Sequence, residues 1–96
     1  MKMFYVVYAA ASDESITAAF KKAGYKSYTK SHGATGEGEE SEPKLGTHCW
    51  PGTNNTLLFA VQDEEIQKLI ELTRKMKAEN PRAGLRAFTF PLEECI

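Results

Sequence analysis

Residues 3–10, MFYVVYAA, decide the fold. The run is aromatic and β-branched on both faces, with Met3, Tyr5 and Val7 alternating with Phe4, Val6 and Tyr8. A strand that is apolar on both sides belongs in the middle of a sheet with both faces covered. Residues 56–61, TLLFAV, are a second continuous apolar run and predict a second central strand.

Outward from these two runs the pattern changes period. After the first, Ser12-Asp13 offers an N-cap, Ile16, Ala19, Phe20 and Ala23 recur at helical spacing, and Gly24 is a natural stop. After the second, Asp63 offers a cap, with Glu64 and Glu65 at the positive end of the helix dipole. Ile66, Leu69, Ile70, Thr73 and Met76 then form a buried stripe that ends at Asn80-Pro81. Residues 25–30, YKSYTK, are half polar and lysine-bearing, as an edge strand is. Residues 85–90, LRAFTF, form the last strand, stopped by Pro91.

Residues 31–55 break every pattern. They hold Gly33, Gly36, Gly38, Gly46 and Gly52, two prolines, and the acids Glu37, Glu39, Glu40 and Glu42. A loop this long inside a compact domain implies a function. Pro51-Gly52 fits the centre of a type II turn.

The order is β-α-β, long loop, β-α-β, with no repeat beyond the two βα halves. It predicts a ferredoxin-like α+β fold, a four-stranded antiparallel sheet of order 4-1-3-2 with two helices on one face. That order places strands one and three centrally, in agreement with their apolar faces. Two helices leave the other face uncovered. Burying its apolar residues is worth roughly 25 cal/mol per Å², which predicts self-association.

Composition bounds the function. The 96 residues suffice for one domain, 1–96, and not for two. With 12 basic and 13 acidic residues, the chain lacks the basic stripe of a general nucleic-acid binder and the excess of an acidic tail. No apolar run approaches the ~20 residues that span a bilayer, so no direct membrane insertion is expected. The apolar start is too short for an export signal. Two cysteines, without an export signal, point to reduced thiols in the cytoplasm.

No Ser/His/Asp arrangement, Walker loop or G-x-G-x-x-G is present, and the chain is not expected to be an enzyme. Cys49 as a nucleophile would need a base and a lowered pKa, and strand geometry turns its neighbour His48 to the opposite face. The glutamates of 37–42 lack an apolar setting to raise a pKa; they suit a solvated loop that presents acids to a basic partner.

The last third resembles nitrogen regulatory proteins of the PII type. Ile66-Gln67-Lys68-Leu69-Ile70 and Arg86-Ala87-Phe88-Thr89-Phe90-Pro91-Leu92-Glu93-Glu94 are similar to a helix and a closing K-I-F-V-x-P-V-E-E strand of that family. The loop 31–55 stands where the family carries its T-loop. The resemblance implies a homotrimer with small-ligand sites in the intersubunit clefts, an adenine nucleotide as ligand, and a loop that signals to a target protein. Where the family has a Gly-x-Gly-Lys turn, this chain has Ala83-Gly84-Leu85-Arg86. In this likeness Arg82, Gly84, Arg86 and Lys30 hold the anion, and His48, Trp50 and Asn54 shape the cleft from the loop. Trp50 either stacks on a base or anchors the loop by packing.

A second resemblance is to CutA proteins, which share the fold and the trimer and carry a W-x-G element similar to Trp50-Pro51-Gly52. It implies divalent metal binding. His32, His48 and Cys49 supply ligands suited to zinc or copper, provided His32 or a second subunit completes the set. A trimer with no small ligand is the third alternative.

Overall fold

The computed structural model describes residues 1–39 and 42–96. Glu40 of the acidic cluster therefore lies outside the described residues. Strand β1 (Lys2–Ala9), helix α1 (Asp13–Lys22), strand β2 (Thr29–Ala34), strand β3 (Asn54–Val61), helix α2 (Ile66–Glu79) and strand β4 (Arg86–Pro91) follow in order. The sheet order is β2-β3-β1-β4, antiparallel throughout, which is the predicted 4-1-3-2 counted from the other edge. Among the described residues no helix is long and apolar enough to cross a membrane.

The period-2 pattern of β1 sorts its side chains. Phe4, Val6 and Tyr8 are buried against the helices, with Leu57 and Phe59 of β3 beside them. Ile16 and Phe20 of α1 and Ile66, Leu69 and Met76 of α2 complete this core. Phe59 is the centre of an aromatic group, its ring centroid 5.0 Å from Phe20, 6.0 Å from Tyr28 and 6.4 Å from Tyr25.

The other face carries no helix. Register places Leu58, Tyr5 and Phe88 in one row, Ala60, Met3 and Phe90 in the next, and Thr56, Val7 and Arg86 in a third. Phe88 and Phe90 remain 54% and 44% exposed in the single chain. The apolar residues are therefore concentrated towards one end of this face and a cation stands at the other.

Three expectations are corrected. Strand β2 runs Thr29–Ala34 and not 25–30, because Tyr25 and Tyr28 turn their rings onto Phe59 and leave the ladder, and the segment expected as a loop over 31–55 is shortened at both ends to 35–53. Burial, then a 2.8 Å hydrogen bond from its hydroxyl to Glu65, pushes the Tyr25 phenol up to about 12. Neither Ser12 nor Asp63 caps a helix through its side chain. Asp63 instead heads a short 3-10 turn, Asp63–Glu65. Strand β4 begins at Arg86 and keeps Pro91 as its last residue, which an edge strand tolerates.

Asp13, the first residue of α1, is the hub of a polar cluster under the sheet. Tyr8 donates to Oδ1 at 2.6 Å and Thr17 at 3.3 Å; Lys30 Nζ lies 2.8 Å from Oδ1 and 3.0 Å from Oδ2. Lys30 also donates to Thr17 at 2.8 Å. Desolvation alone would raise the Asp13 carboxyl. Hydrogen bonds from Lys30, Tyr8 and Asn55 outweigh it and hold the group well below the usual carboxylate range. This cluster pins β1, β2 and β3 to the start of α1.

Two measurements check these assignments. Phe59→Ala should cost about 3–5 kcal/mol in denaturant unfolding at fixed protein concentration; a loss under about 1 kcal/mol would contradict the central packing of that ring. Lys30→Met should cost about 1–3 kcal/mol at pH 7. Because the Asp13 pKa is depressed on folding, its contribution is complete at neutral pH and is lost as pH falls below the ordinary value of about 4. The gap between wild type and variant should therefore narrow in urea melts at pH 3. An equal gap at both pH values would rule out the Asp13–Lys30 pair as its source.

Candidate functional site

The described residues between β2 and β3 are more ordered by hydrogen bonds than an irregular loop. The β2–β3 register shifts between Ser31 and Ala34, and this bulge steers the chain off the sheet. Gly36 and Lys44 then pair through two backbone hydrogen bonds, Gly36 N to Lys44 O at 2.7 Å and Lys44 N to Gly36 O at 2.8 Å. Gly46 N donates to Gly52 O at 3.1 Å, and Thr47 N to Trp50 O at 2.9 Å, closing a second turn. Trp50 N donates to the Thr47 hydroxyl at 3.1 Å. Ala10 N, donating to Thr53 O at 2.9 Å, ties the returning chain to the end of β1.

The turn thus centres on His48-Cys49 and not on Pro51-Gly52. Gly52 is not in the left-handed region that a type II turn demands of it.

Where the base of this segment meets the turn before β4, a cavity of about 230 Å³ opens. The loop contributes Gly36, Gly38 and Lys44, and the turn contributes Gly84 and Arg86. Val7 and Asn54 of the open sheet face and Lys77 from the last turn of α2 join them. Gly84 follows a 3-10 turn, Pro81–Ala83, with φ of +61°, a conformation that disfavours any residue with a β-carbon. Three cations therefore share a small concavity with glycine backbone on two sides. Such a site suits an anion that takes hydrogen bonds from main-chain amides and charge from side chains. Glu37 and Glu42 also line it.

Three of the residues expected from sequence come together here: Gly84, Arg86 and Asn54. Four lie elsewhere. Arg82 is exposed on the Pro81–Ala83 turn, and Lys30 faces the helices in the Asp13 cluster. His48 and Trp50 are exposed on the Thr47–Trp50 turn. His32 is exposed on β2 and Cys49 on the outer turn, and among the described residues no three His, Cys, Asp or Glu side chains gather as a metal site would require.

The sequence reading missed Lys44 and Lys77. Lys44 sits in a stretch without period, so only the fold brings it to the turn before β4. Lys77, in the last turn of α2, has the ordinary look of a cation complementing a helix dipole. A second cavity of about 320 Å³ lies between α2 and β4, floored by Phe4, Ile70 and Ala87 and bordered by Arg74. It shares Lys77, Leu85 and Arg86 with the first, so the two adjoin.

A family model described as nitrogen regulatory protein P-II matches residues 1–96 of this chain. No curated protein matches it.

Proposed function

The chain belongs to the nitrogen regulatory protein P-II family, and on that premise we propose that it is a signalling protein whose ligand is a small anion of the adenine-nucleotide class. The family description makes it a regulator, and we assign it no catalytic step. The observation that carries the ligand reading is the cavity in which Gly36, Gly84, Lys44, Lys77 and Arg86 converge. Arg86 would bind the phosphates by charge and paired N–H groups, and the Gly84 turn would admit them to the backbone. The adjoining apolar-floored cavity offers room for the flat base. The loop 35–53, whose base forms one wall of the cleft, would change state with occupancy and present the change to a target protein. That is a population shift set by the differential affinity of the ligand for the loop states.

The open sheet face supports a homotrimer. Tyr5, Met3, Leu58, Phe88 and Phe90 form a continuous apolar surface that a second and third copy would cover. Assembly through this face would place the cleft at its charged end, beside a neighbouring copy. The exposed thiols of Cys49 and Cys95 suit a reducing compartment, in keeping with a cytoplasmic place of work.

Two experiments test this reading. Wild-type protein titrated with ATP by calorimetry should bind, and Arg86→Ala should bind at least about tenfold more weakly, as loss of a charged hydrogen-bond donor implies; equal heats from both would refute the site. Sedimentation equilibrium should give a trimer for the wild type. Phe88→Lys, which buries a charge in the assembled face, should give smaller species with unchanged far-UV circular dichroism; an unaltered trimer would place the interface elsewhere.

A further inference from the structure

One side chain reaches from one wall of the cleft to within contact distance of the other. Lys44 is half-buried, and its backbone is the partner of Gly36 at the base of the loop. Its stem passes Gly52 so closely that a β-carbon there would stand 3.1 Å from Cδ. Its Nζ ends 3.8 Å from where a β-carbon of Gly84 would lie. Gly52 thus leaves a channel for the stem, although it lies in neither cavity wall.

The ammonium is incompletely matched where it sits. It donates to the main-chain carbonyl of Glu42 at 3.0 Å and, among the described residues, forms no ion pair. A carbonyl is a weaker partner for an ammonium than an anion is. An anion beside Gly84 and Arg86 comes within reach of Nζ without any movement of the sheet.

Resting on the anion-site reading above, we infer that Lys44 is itself an anion-binding residue and the one through which the loop registers occupancy. Nζ is held by the Glu42 carbonyl, which belongs to the loop itself, so this contact does not tie the loop to the turn before β4. A bound anion would join Nζ to Gly84 and Arg86. The Gly36–Lys44 pairing is then locked against that turn, because the same residue supplies both the pairing backbone and the bound cation. The loop state favoured by the ligand is the one with this pairing closed.

Inorganic pyrophosphate is a suitable probe, because it offers charge and oxygens with no base to bind elsewhere. Calorimetry gives its affinity, and amide hydrogen exchange by NMR reads the Gly36 and Lys44 N–H groups directly. In wild-type protein, pyrophosphate should slow exchange at both amides. Lys44→Met should bind about tenfold more weakly or worse and show no slowing at Gly36, while Lys44→Arg should restore both in part. Lys44→Gln removes the charge but keeps a polar end, should weaken binding in the same direction, and carries the test if Lys44→Met loses the wild-type circular dichroism. Wild-type affinity together with wild-type slowing in Lys44→Met would overturn the role of Lys44 and leave the anion site standing. Wild-type protein that binds neither ATP nor pyrophosphate would overturn the site and this role together.

Discussion

Two helices cover one face of a four-stranded sheet and no more. Four strands spaced at about 4.8 Å span roughly 20 Å, and two helices of about 10 Å diameter laid side by side span the same. Helices α1 and α2 therefore occupy the Phe4–Val6–Tyr8 side and leave the Met3–Tyr5–Val7 side bare. Because β1 is apolar on both sides, half of its hydrophobic content cannot be buried within the single chain. The exposed phenylalanines of β4 are the visible part of that shortfall. Along the open face the rows change from Leu58, Tyr5 and Phe88 to Thr56, Val7 and Arg86. One surface thus passes from an apolar region into a region that carries charge.

Strand β3 separates two kinds of polarity by the alternation of its side chains. Asn55 points among the helices, where it is buried and hydrogen-bonds to Asp13. Asn54, one residue earlier, lines the cleft on the opposite side. The Asp13 cluster is fully partnered and ties the strands together, and no buried side-chain nitrogen or oxygen among the described residues lacks a partner. The cleft gathers Lys44, Lys77 and Arg86 with Glu37 and Glu42 around an open concavity. The first arrangement is a structural fastening within the fold.

The fold was legible because its signals are local and redundant. The two apolar runs, the helical spacing from Ile16 and from Ile66, and the prolines at the ends each depend on a few neighbouring residues. The family likeness was legible in Arg86 to Glu94, and the family match covers the whole chain. The start of β2 was misread because Tyr25 and Tyr28 have strand-forming side chains, yet their rings gain more by closing over Phe59. Gly84, Arg86 and Asn54, named from the family likeness, share one cavity because the turn before β4 and the start of β3 meet there. Lys44 was not named, because its place depends on a pairing with Gly36 inside a segment without hydrophobic period. Lys30 has the charge of a ligand residue, but the carboxylate that claims it lies on α1, 17 positions away in sequence. Charge is visible in a sequence; the partner of that charge is a property of the fold.

The Gly36–Lys44 pairing has a consequence for how such a protein diversifies. It closes the loop base independently of what is strung between those two residues, and the β2–β3 ladder of Thr29 to Ser31 lies beyond it on the sheet side. Lengthening the chain between those two residues costs only slowly increasing closure entropy, about 0.6 kcal/mol per doubling. Such a change leaves the sheet and the core as they are. A proline at Gly36 or Lys44 has no such freedom, because it would remove one of the two pairing N–H groups. The boundary of that freedom is drawn by the two backbone hydrogen bonds between Gly36 and Lys44.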